Sequence, residues 1–584
     1  MRRTKIVATL GPSSSSVEVL SQMIEAGMDV ARLNMSHGTH EEHQSRVLAL
    51  REAAQGRPVA IMLDTKGPEV RLGRFRGGLA RLEGDAVFQI RVSPAYKDCE
   101  GDSTWVYADY PGLPKDVTPG DVLLIDDGNI AMVVLEVDED CVTCRVKSPG
   151  TVTNKKKLSV KGKSFSLPPV SDADARDIAF GVRLGVDFVA ASFIRTPEDV
   201  IAVRRVIEGQ GAVIPVIAKI ETRESVESIE QILKVCDGLM IARGDLGVEF
   251  PPEEVPIIQK RLIRMCNRVG KPVVTATQML ESMVNRPTPT RAEASDVANA
   301  ILDGTDAVML SAETATGKYP VECVRTMASI AVRTEREMAL QHREIPAFWG
   351  ESVTVTDAVS RATWTAAREL RAAAIITATE SGYTARMIAR LRPSMPVIAA
   401  TPNEGTLRQL LLTWGVYPVL VPGAPDTDTM IDQSIQAGLK SGIVANGDLV
   451  ILTAGVPTGI PGTTNLMKVH VLGNVMVKGT GIGGKTVTGR ARIITSEASD
   501  PAGEGDIAVL RSVESPLVPS IAKASGLVVE EGGLSSNGAV LAVTLEIPAV
   551  VGASGATRLI ADGSQITIDS TRGLVYSGRA NIPS

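Results

Sequence analysis

Aromatic side chains are scarce: four tryptophans, seven tyrosines and eight phenylalanines among 584 residues. Apolar residues still make up 44%, so the cores must draw on alanine, valine and isoleucine, as in an α/β protein. The six cysteines are scattered and form no disulfide framework, consistent with reduced thiols. Cys141 and Cys144 make the one C-x-x-C, in an alternating strand pattern whose i and i+3 positions face opposite sides. No second cysteine or histidine pair completes a zinc set. No basic block dominates, and the net charge is −6, which argues against nucleic acid as the principal partner. No apolar run approaches the roughly 20 residues of a membrane span. The start, M-R-R-T-K-I-V-A-T-L-G-P, has too short an apolar run for a signal peptide. A cytoplasmic protein is expected, with no membrane partner. Low-complexity tracts are also missing.

What is present is a repeated theme. The length sets a prior of three or four domains, and the first 330 residues alternate short apolar strands with helical patterns. Candidate strands are Lys5–Leu10, Asp29–Asn34, Pro58–Asp64, Val186–Ser192, Pro215–Ile220, Gly238–Ala242, Pro272–Thr277 and Asp306–Ser311. Eight parallel strands with helical crossovers predict a (β/α)₈ TIM barrel, with its active site at the strands' carboxyl ends. Chemically useful residues gather there: Arg32, Asn34 and Ser36; Asp64 and Thr65; Lys219 and Glu221; Asp245; Thr277; Ser311.

Lys219 and Glu221 sit two apart in the strand-like run V-I-A-K-I-E-T, so a pleat sends both to one side. Asp245 follows the next apolar run. A cation beside two carboxylates suits phosphate transfer: the carboxylates hold a divalent metal, and the lysine neutralises oxygen charge that grows during transfer. Taken alone, the trio also fits a buried ion-pair network inside a barrel. Likewise Arg32, Asn34 and Ser36 fit an exposed strand face, and Thr277 fits a helix cap.

Four domains are expected. Residues 1–66 and 167–345 form the barrel. Residues 67–166 alternate with period two, carry turns such as D-D-G-N (Asp126–Asn129), and read as an inserted β-barrel lid at the active-site end, placed to close over substrate. Residues 346–472 resume helix–strand alternation as a doubly wound α/β domain. Residues 473–584 are glycine-rich with β patterns and form an extra domain.

Long segments of the chain resemble the pyruvate kinase family, over roughly residues 1–472. They are T-L-G-P-S-S (Thr9–Ser14), V-A-R-L-N-M-S-H-G (Val30–Gly38), L-D-T-K-G-P-E-V-R (Leu63–Arg71), A-K-I-E (Ala218–Glu221), A-R-G-D-L-G, A-T-Q-M-L-E-S-M (Ala276–Met283), N-R-P-T-P-T-R-A-E (Asn285–Glu293) and M-L-S-A-E-T-A-T-G-K-Y-P (Met309–Pro320). The resemblance implies transfer of the phosphoryl group of phosphoenolpyruvate to ADP, giving ATP and pyruvate, by an allosteric homotetramer. It implies Mg²⁺ (or Mn²⁺) on Glu221 and Asp245, Lys219 on the phosphoryl group in flight, and Arg32 on phosphate. Backbone N–H groups around Gly244 and Asp245 would receive the substrate carboxylate. Thr277 and Ser311 would lie near the enolate carbon that is protonated. Asn34, Ser36, Asp64 and Thr65 match a K⁺ site, and Glu69 matches the K⁺-requiring branch. Asn34, His37 and Arg71 match nucleotide contacts.

The match departs in two places. In the lid, N-K-K-K-L-S-V-K-G (Asn154–Gly162) replaces the family pattern K-K-G-V-N-L-P-G; its first two lysines survive, and Lys156 best fits the nucleotide-contacting position. The last domain resembles the swivelling phosphohistidine domain of phosphoenolpyruvate synthases, a β/β/α-type fold. There G-G-L-S-S-N-G-A (Gly532–Ala539) stands for G-G-x-T-S-H-A-A, with Asn537 at the histidine position. An amide cannot accept a phosphoryl group as imidazole does, so a structural or regulatory role is expected. T-E-S-G-Y-T-A-R (Thr379–Arg386) resembles an effector-phosphate loop with Thr379, Ser381 and Thr384 as hydroxyl donors to a small phosphorylated effector.

Two attractive motifs are set aside. Thr39 and Glu42 form a capping box, which puts His40 and His43 in a helix's first turn rather than around a metal. G-T-G-I-G-G-K-T (Gly479–Thr486) satisfies the P-loop expression, but V-T-G-R-A-R-I-I follows it as a strand pattern, where the mechanism needs a helix. Another enzyme class also uses Glu and Asp ligands on a barrel: a Mg²⁺-dependent lyase acting through a pyruvate enolate. Such a lyase would need neither the lid nor the Lys219 cation. A chain kept for regulation, with weak catalysis, is the third reading.

Overall fold

The computed structural model describes residues 1–584 except 127, 341–352, 457–462, 474, 497 and 581–584. Asp127 of the D-D-G-N turn and the expected domain boundary at 345/346 lie outside the described residues. The chain divides into two units, Met1–Arg343 with Arg408–Trp414, and Glu344–Leu407 with Gly415–Ser584.

In the first unit the eight expected strands form β1 (Lys5–Thr9), β2 (Val30–Asn34), β3 (Ala60–Asp64), β4 (Phe188–Ala191), β5 (Val216–Ile220), β6 (Gly238–Ala242), β7 (Val273–Ala276) and β8 (Ala307–Leu310). They close a barrel in chain order, every neighbouring pair parallel. Both faces of these strands are covered, which is why they read as continuous apolar runs rather than alternating ones. Val7, Val30, Met62, Ile217, Met240 and Met309 fill the interior, joined by Leu411 and Leu412. Those two leucines come from Arg408–Trp414, a segment that the sequence assigned to the α/β domain. Two polar contacts fix it: Arg408 Nε donates to Asp187 Oδ1 at 2.7 Å, and the Trp414 N–H to Asp306 Oδ1 at 3.1 Å.

Capping boxes start the crossover helices where the loops must end. Thr39–Glu42 opens His40–Ala54, Ser171–Asp174 opens Asp172–Leu184, and Thr290–Glu293 opens Arg291–Asp303. Each such cap contributes about 1 kcal/mol and fixes the length of a loop at the barrel mouth. The Thr39 box disposes of the histidine cluster, because His43 Nε2 is spent on the His37 carbonyl at 2.9 Å.

Between β3 and β4 the chain leaves the barrel. A seven-stranded sheet runs in the order Val70–Arg71, Lys157–Val160, Val122–Ile125, Ile130–Val137, Cys141–Ser148, Val87–Arg91 and Trp105–Tyr107. It has its own apolar core, including Phe75, Phe88, Ile90, Met132 and Val146. Cys144 is buried while Cys141 is only half-buried, as opposite faces of one strand require. At the exit, Gly67 has φ 76°, and a Cβ there would sit 2.7 Å from Ser192 Cβ and 2.9 Å from the Phe193 ring. Only glycine lets the lid's stem pass this close to the site.

Among its described residues the second unit holds two sheets. A five-stranded sheet is ordered Val416–Leu420, Val397–Thr401, Ala374–Ala378, Leu449–Ala454 and Leu466–Val471, parallel except for the last strand. A mixed eight-stranded sheet spans Val475–Ser577. Within it Thr486–Ile493 is a strand, so the glycine-rich Gly479–Thr486 segment is followed by no helix and is not a P-loop. Among the described residues no helix is long and apolar enough to cross a membrane.

Candidate active site

The carboxyl ends of β2, β3, β4 and β5 bring one charged cluster together. Lys219 Nζ lies 3.1 Å from Asp64 Oδ1, 3.1 Å from Glu221 Oε1 and 2.7 Å from Ser192 Oγ. Arg32 Nε donates to the other Asp64 oxygen at 2.6 Å, and its Nη1 to Thr9 Oγ1 at 2.9 Å. Asp64 is fully buried and Glu221 nearly so. The Lys219–Glu221 spacing therefore does what the pleat demands, with both side chains at the same side of β5's end.

The electrostatics follow from this crowding. Burial alone would raise the Asp64 carboxyl, but the Arg32 guanidinium and Lys219 ammonium outweigh it and hold the group below its ordinary value. Burial would likewise lower Lys219, yet Asp64 and Glu221 push it above the usual lysine range. Glu221 moves the other way: burial raises it, Lys219 only partly offsets that, and the nearby Asp245 charge raises it further. Two carboxylates in mutual repulsion at a shielded site are a natural seat for a hard cation.

Asp245 sits in the first turn of Arg243–Glu249, just past β6. It shares a cleft of about 610 Å³ with Glu221, Phe193, Glu69, Lys157 and Val70. Lys157, from the lid strand Lys157–Val160, reaches across to Asp245 Oδ1 at 2.8 Å. Its ammonium also lies 4.4 Å from the centre of the Phe193 ring. Phe193 is held at φ 54°, an arrangement costing about 1–3 kcal/mol for a bulky residue. That backbone turn aims its N–H at Glu221 Oε2, 2.6 Å away.

Thr277 and Gln278 are also left-handed, at φ 64° and 54°. Arg243 gathers the carbonyls this turn exposes, with Nη2 2.7 Å from the Thr277 oxygen and Nε 3.3 Å from the Ala276 oxygen. Thr277 Oγ1 accepts the Gly244 N–H at 2.9 Å, so the expected carboxylate-binding amide and the expected threonine are direct partners. At the end of β8 the Ser311 N–H donates to Glu313 Oε2 at 2.6 Å. Glu313 also accepts the Leu280 N–H at 3.2 Å, tying the β7 and β8 loops together.

The oxygens expected around K⁺ lie at the ends of adjacent strands, with Asn34 and Asp64 paired in register. Asn34 Oδ1 accepts the Ser36 N–H at 3.1 Å. Thr65 meets Ser192 twice: its Oγ1 accepts the Ser192 N–H at 3.1 Å and its carbonyl accepts Ser192 Oγ at 2.6 Å. His37 is exposed beside this group. Arg71 pairs with Glu69 at 2.6 Å, and Lys156 with Asp126 of the lid at 2.6 Å.

The sequence matches known proteins. Residues 1–324 match the family described as pyruvate kinase, barrel domain, and residues 357–470 match pyruvate kinase, alpha/beta domain. Proteins named pyruvate kinase are 49% identical in Geobacillus stearothermophilus, 48% in Bacillus licheniformis and 45% in Staphylococcus aureus, each match covering all of both chains. The chain belongs to the pyruvate kinase family. That membership leaves the enolate-lyase alternative without support. Residues 502–573 match the mobile domain of PEP-utilising enzymes, as the glycine-rich motif suggested. In that domain Asn537 opens the helix Asn537–Thr544, and its Nδ2 donates to the Val513 carbonyl at 3.1 Å.

Elsewhere in the second unit, Thr379, Ser381 and Thr384 all line a cleft of about 660 Å³, with Ala378, Pro402 and Ser434 among its other walls. Thr384 is buried and its hydroxyl bonds Thr464 Oγ1 at 2.9 Å.

Four residues at this site escaped the reading of residue types. Ser192 bridges Lys219, Asp64 and Thr65, and its position as the last residue of a predicted strand was the available signal. Phe193 and Glu313 act through backbone N–H geometry, which no spacing rule reports. Lys157 is one residue beyond the lysine singled out.

Proposed function

We propose that this chain transfers the phosphoryl group of phosphoenolpyruvate to ADP, giving ATP and pyruvate, the last step of glycolysis. The observation that carries the reading is the Lys219 ammonium, 3.1 Å from both Asp64 and Glu221 at the barrel mouth. Fixed charge placed where a phosphoryl group moves is the main thing such a reaction asks of a protein. Lys219 and Arg32 neutralise the equatorial oxygens while the enol-oxygen–phosphorus bond breaks and the ADP oxygen bonds to phosphorus. The electron pair left on the enol oxygen becomes an enolate, which takes a proton at carbon near Thr277 and Ser311. The Gly244 and Asp245 amides receive the substrate carboxylate, with Thr277 Oγ1 yielding its bond to Gly244. Asn34, His37, Arg71 and Lys156 contact nucleotide, and lid closure excludes water that would otherwise capture the phosphoryl group.

The donor set fits the cofactors the family implies. Glu221 and Asp245 line one cleft and would hold Mg²⁺ or Mn²⁺ through their carboxylate oxygens. Mg²⁺ or Mn²⁺ there, and K⁺ on Asn34, Ser36, Asp64 and Thr65, supply charge neutralisation to the phosphates when bound.

The same reading extends to organisation. The domains are 1–66 with 167–345, 67–166, 346–472 and 473–584, the last without phosphotransfer chemistry. A small phosphorylated effector binds at Thr379, Ser381 and Thr384 of a cytoplasmic homotetramer. The test is ATP formation from phosphoenolpyruvate and ADP, with and without K⁺ and Mg²⁺. Purified, folded protein that makes no ATP under any of these conditions overturns the assignment.

A further inference from the structure

Lys157 stands where the family pattern K-K-G-V-N-L-P-G carries glycine, a position with no side chain. In this chain the substitution places an ammonium on a carboxylate oxygen of the barrel. Lys157 Nζ lies 2.8 Å from Asp245 Oδ1, with its charge over the Phe193 ring at 4.4 Å. The two side chains are only 20% and 28% exposed, so solvent screens the pair less than it would a surface ion pair. The backbone of Lys157 is fixed as well. It pairs with Arg71 in one neighbouring strand, while Leu158 pairs with Ile125 in the other. The lysine is thus a rigid extension of the lid sheet, with only its stem free to turn. Phe193 in turn donates its N–H to Glu221, so the residue under the Lys157 charge also touches the second carboxylate.

We propose that Lys157 is a tethered cation that competes with the divalent metal for Asp245 and ties the lid to the barrel until metal displaces it. The inference rests on the reading of Glu221 and Asp245 as the metal pair. An ammonium and a divalent ion cannot both take Asp245 Oδ1 at bonding distance without strong repulsion, so each weakens the other. By reciprocity, metal binding releases the lid edge from the helix Arg243–Glu249, and release of the lid favours metal. A chain with glycine at this position would lack the latch.

The experiment is Mn²⁺ titration of the full-length protein by electron paramagnetic resonance, without substrates. Lys157→Met should bind Mn²⁺ about tenfold more tightly than the parent, ~1.4 kcal/mol. Lys147→Met, which removes an exposed lid charge paired with Asp85, should leave the affinity within twofold. Unchanged affinity in Lys157→Met overturns the latch. Asp245→Asn separates the two readings: if it leaves Mn²⁺ binding intact, the metal pair itself is wrong and the latch falls with it. If Asp245→Asn abolishes binding while Lys157→Met matches the parent, only the latch falls.

Discussion

Replacing Lys219 with methionine keeps the length of the side chain and removes its charge. At an effective dielectric of about 20, each 3.1 Å contact with Asp64 and Glu221 is worth roughly 5 kcal/mol before desolvation. The cost to folding is far smaller. Arg32 remains 2.6 Å from Asp64, and the Phe193 N–H remains 2.6 Å from Glu221, so neither carboxylate is orphaned. Removing one partner of a buried pair costs about 3–5 kcal/mol when the other charge is left bare, and the cost here lies below that. The cost to catalysis is separate from this, because the Arg32 guanidinium that remains is held by Asp64 and Thr9 and does not move into the place of the lost ammonium. Positioned cations in phosphoryl transfer are worth on the order of 10³-fold or more, or about 4 kcal/mol in the barrier. Lys219→Met should therefore lose at least ~10³-fold in kcat in an assay coupled to pyruvate reduction. Circular dichroism should stay native, and Mn²⁺ should bind at least as tightly as before, since a positive charge has left Glu221. Turnover within tenfold of the parent, with the fold intact, would refute the role given to this lysine.

Asp64 carries a pH signature. Its folded carboxyl lies below the ordinary value because Arg32 and Lys219 outweigh burial, so its stabilisation is complete above the unfolded pKa of about 3.9 and is lost as pH falls through the folded value. In urea unfolding of the full chain, Asp64→Asn should destabilise the barrel at pH 7 by about 2–4 kcal/mol. The gap to the parent should shrink as pH drops below about 4; a gap constant from pH 7 to pH 3 would contradict the assignment. In the last domain, incubation with labelled phosphoenolpyruvate should leave no acid-labile phosphate on residues 473–584. Asn537 stands at the position where the motif carries histidine, so label recovered there would mean another acceptor operates.

The barrel was legible because parallel strands buried on both faces leave unbroken apolar runs, and each of the eight ends within two residues of its expected limit. The meeting of Lys219 and Glu221 was legible for a related reason: they share a pleat side, and β6 lies in register beside β5, with Lys219 opposite Met240. What stayed hidden depends on contacts between segments far apart in sequence. Leu411 and Leu412 read as ordinary core of the α/β domain, because an apolar triplet does not announce which core it enters. Phe193 and Thr277 adopt left-handed backbones that their own side chains disfavour, and such conformations survive only where tertiary bonds such as Phe193 N–H to Glu221 and Arg243 to the Thr277 carbonyl hold them.

The lid lysines show where pattern reading reaches its end. Lys157 opens the strand Lys157–Val160 and Lys156 directly precedes it, so adjacent extended residues send their side chains to opposite sides. Which of them faces the barrel depends on register. Lys157 opposite Arg71 in one neighbour, and Leu158 opposite Ile125 in the other, turn Lys157 toward Asp245 and leave Lys156 beside Asp126. A slip of one residue would exchange their partners, placing Lys156 over Asp245 and Lys157 on the lid. The added charge thus acquires its partner from three short strand segments rather than from its own neighbourhood in the chain. Deleting one residue from the turn Asn154–Lys155 should accordingly transfer the Asp245 contact from one lysine to the other, and with it the sensitivity of Mn²⁺ affinity to substitution.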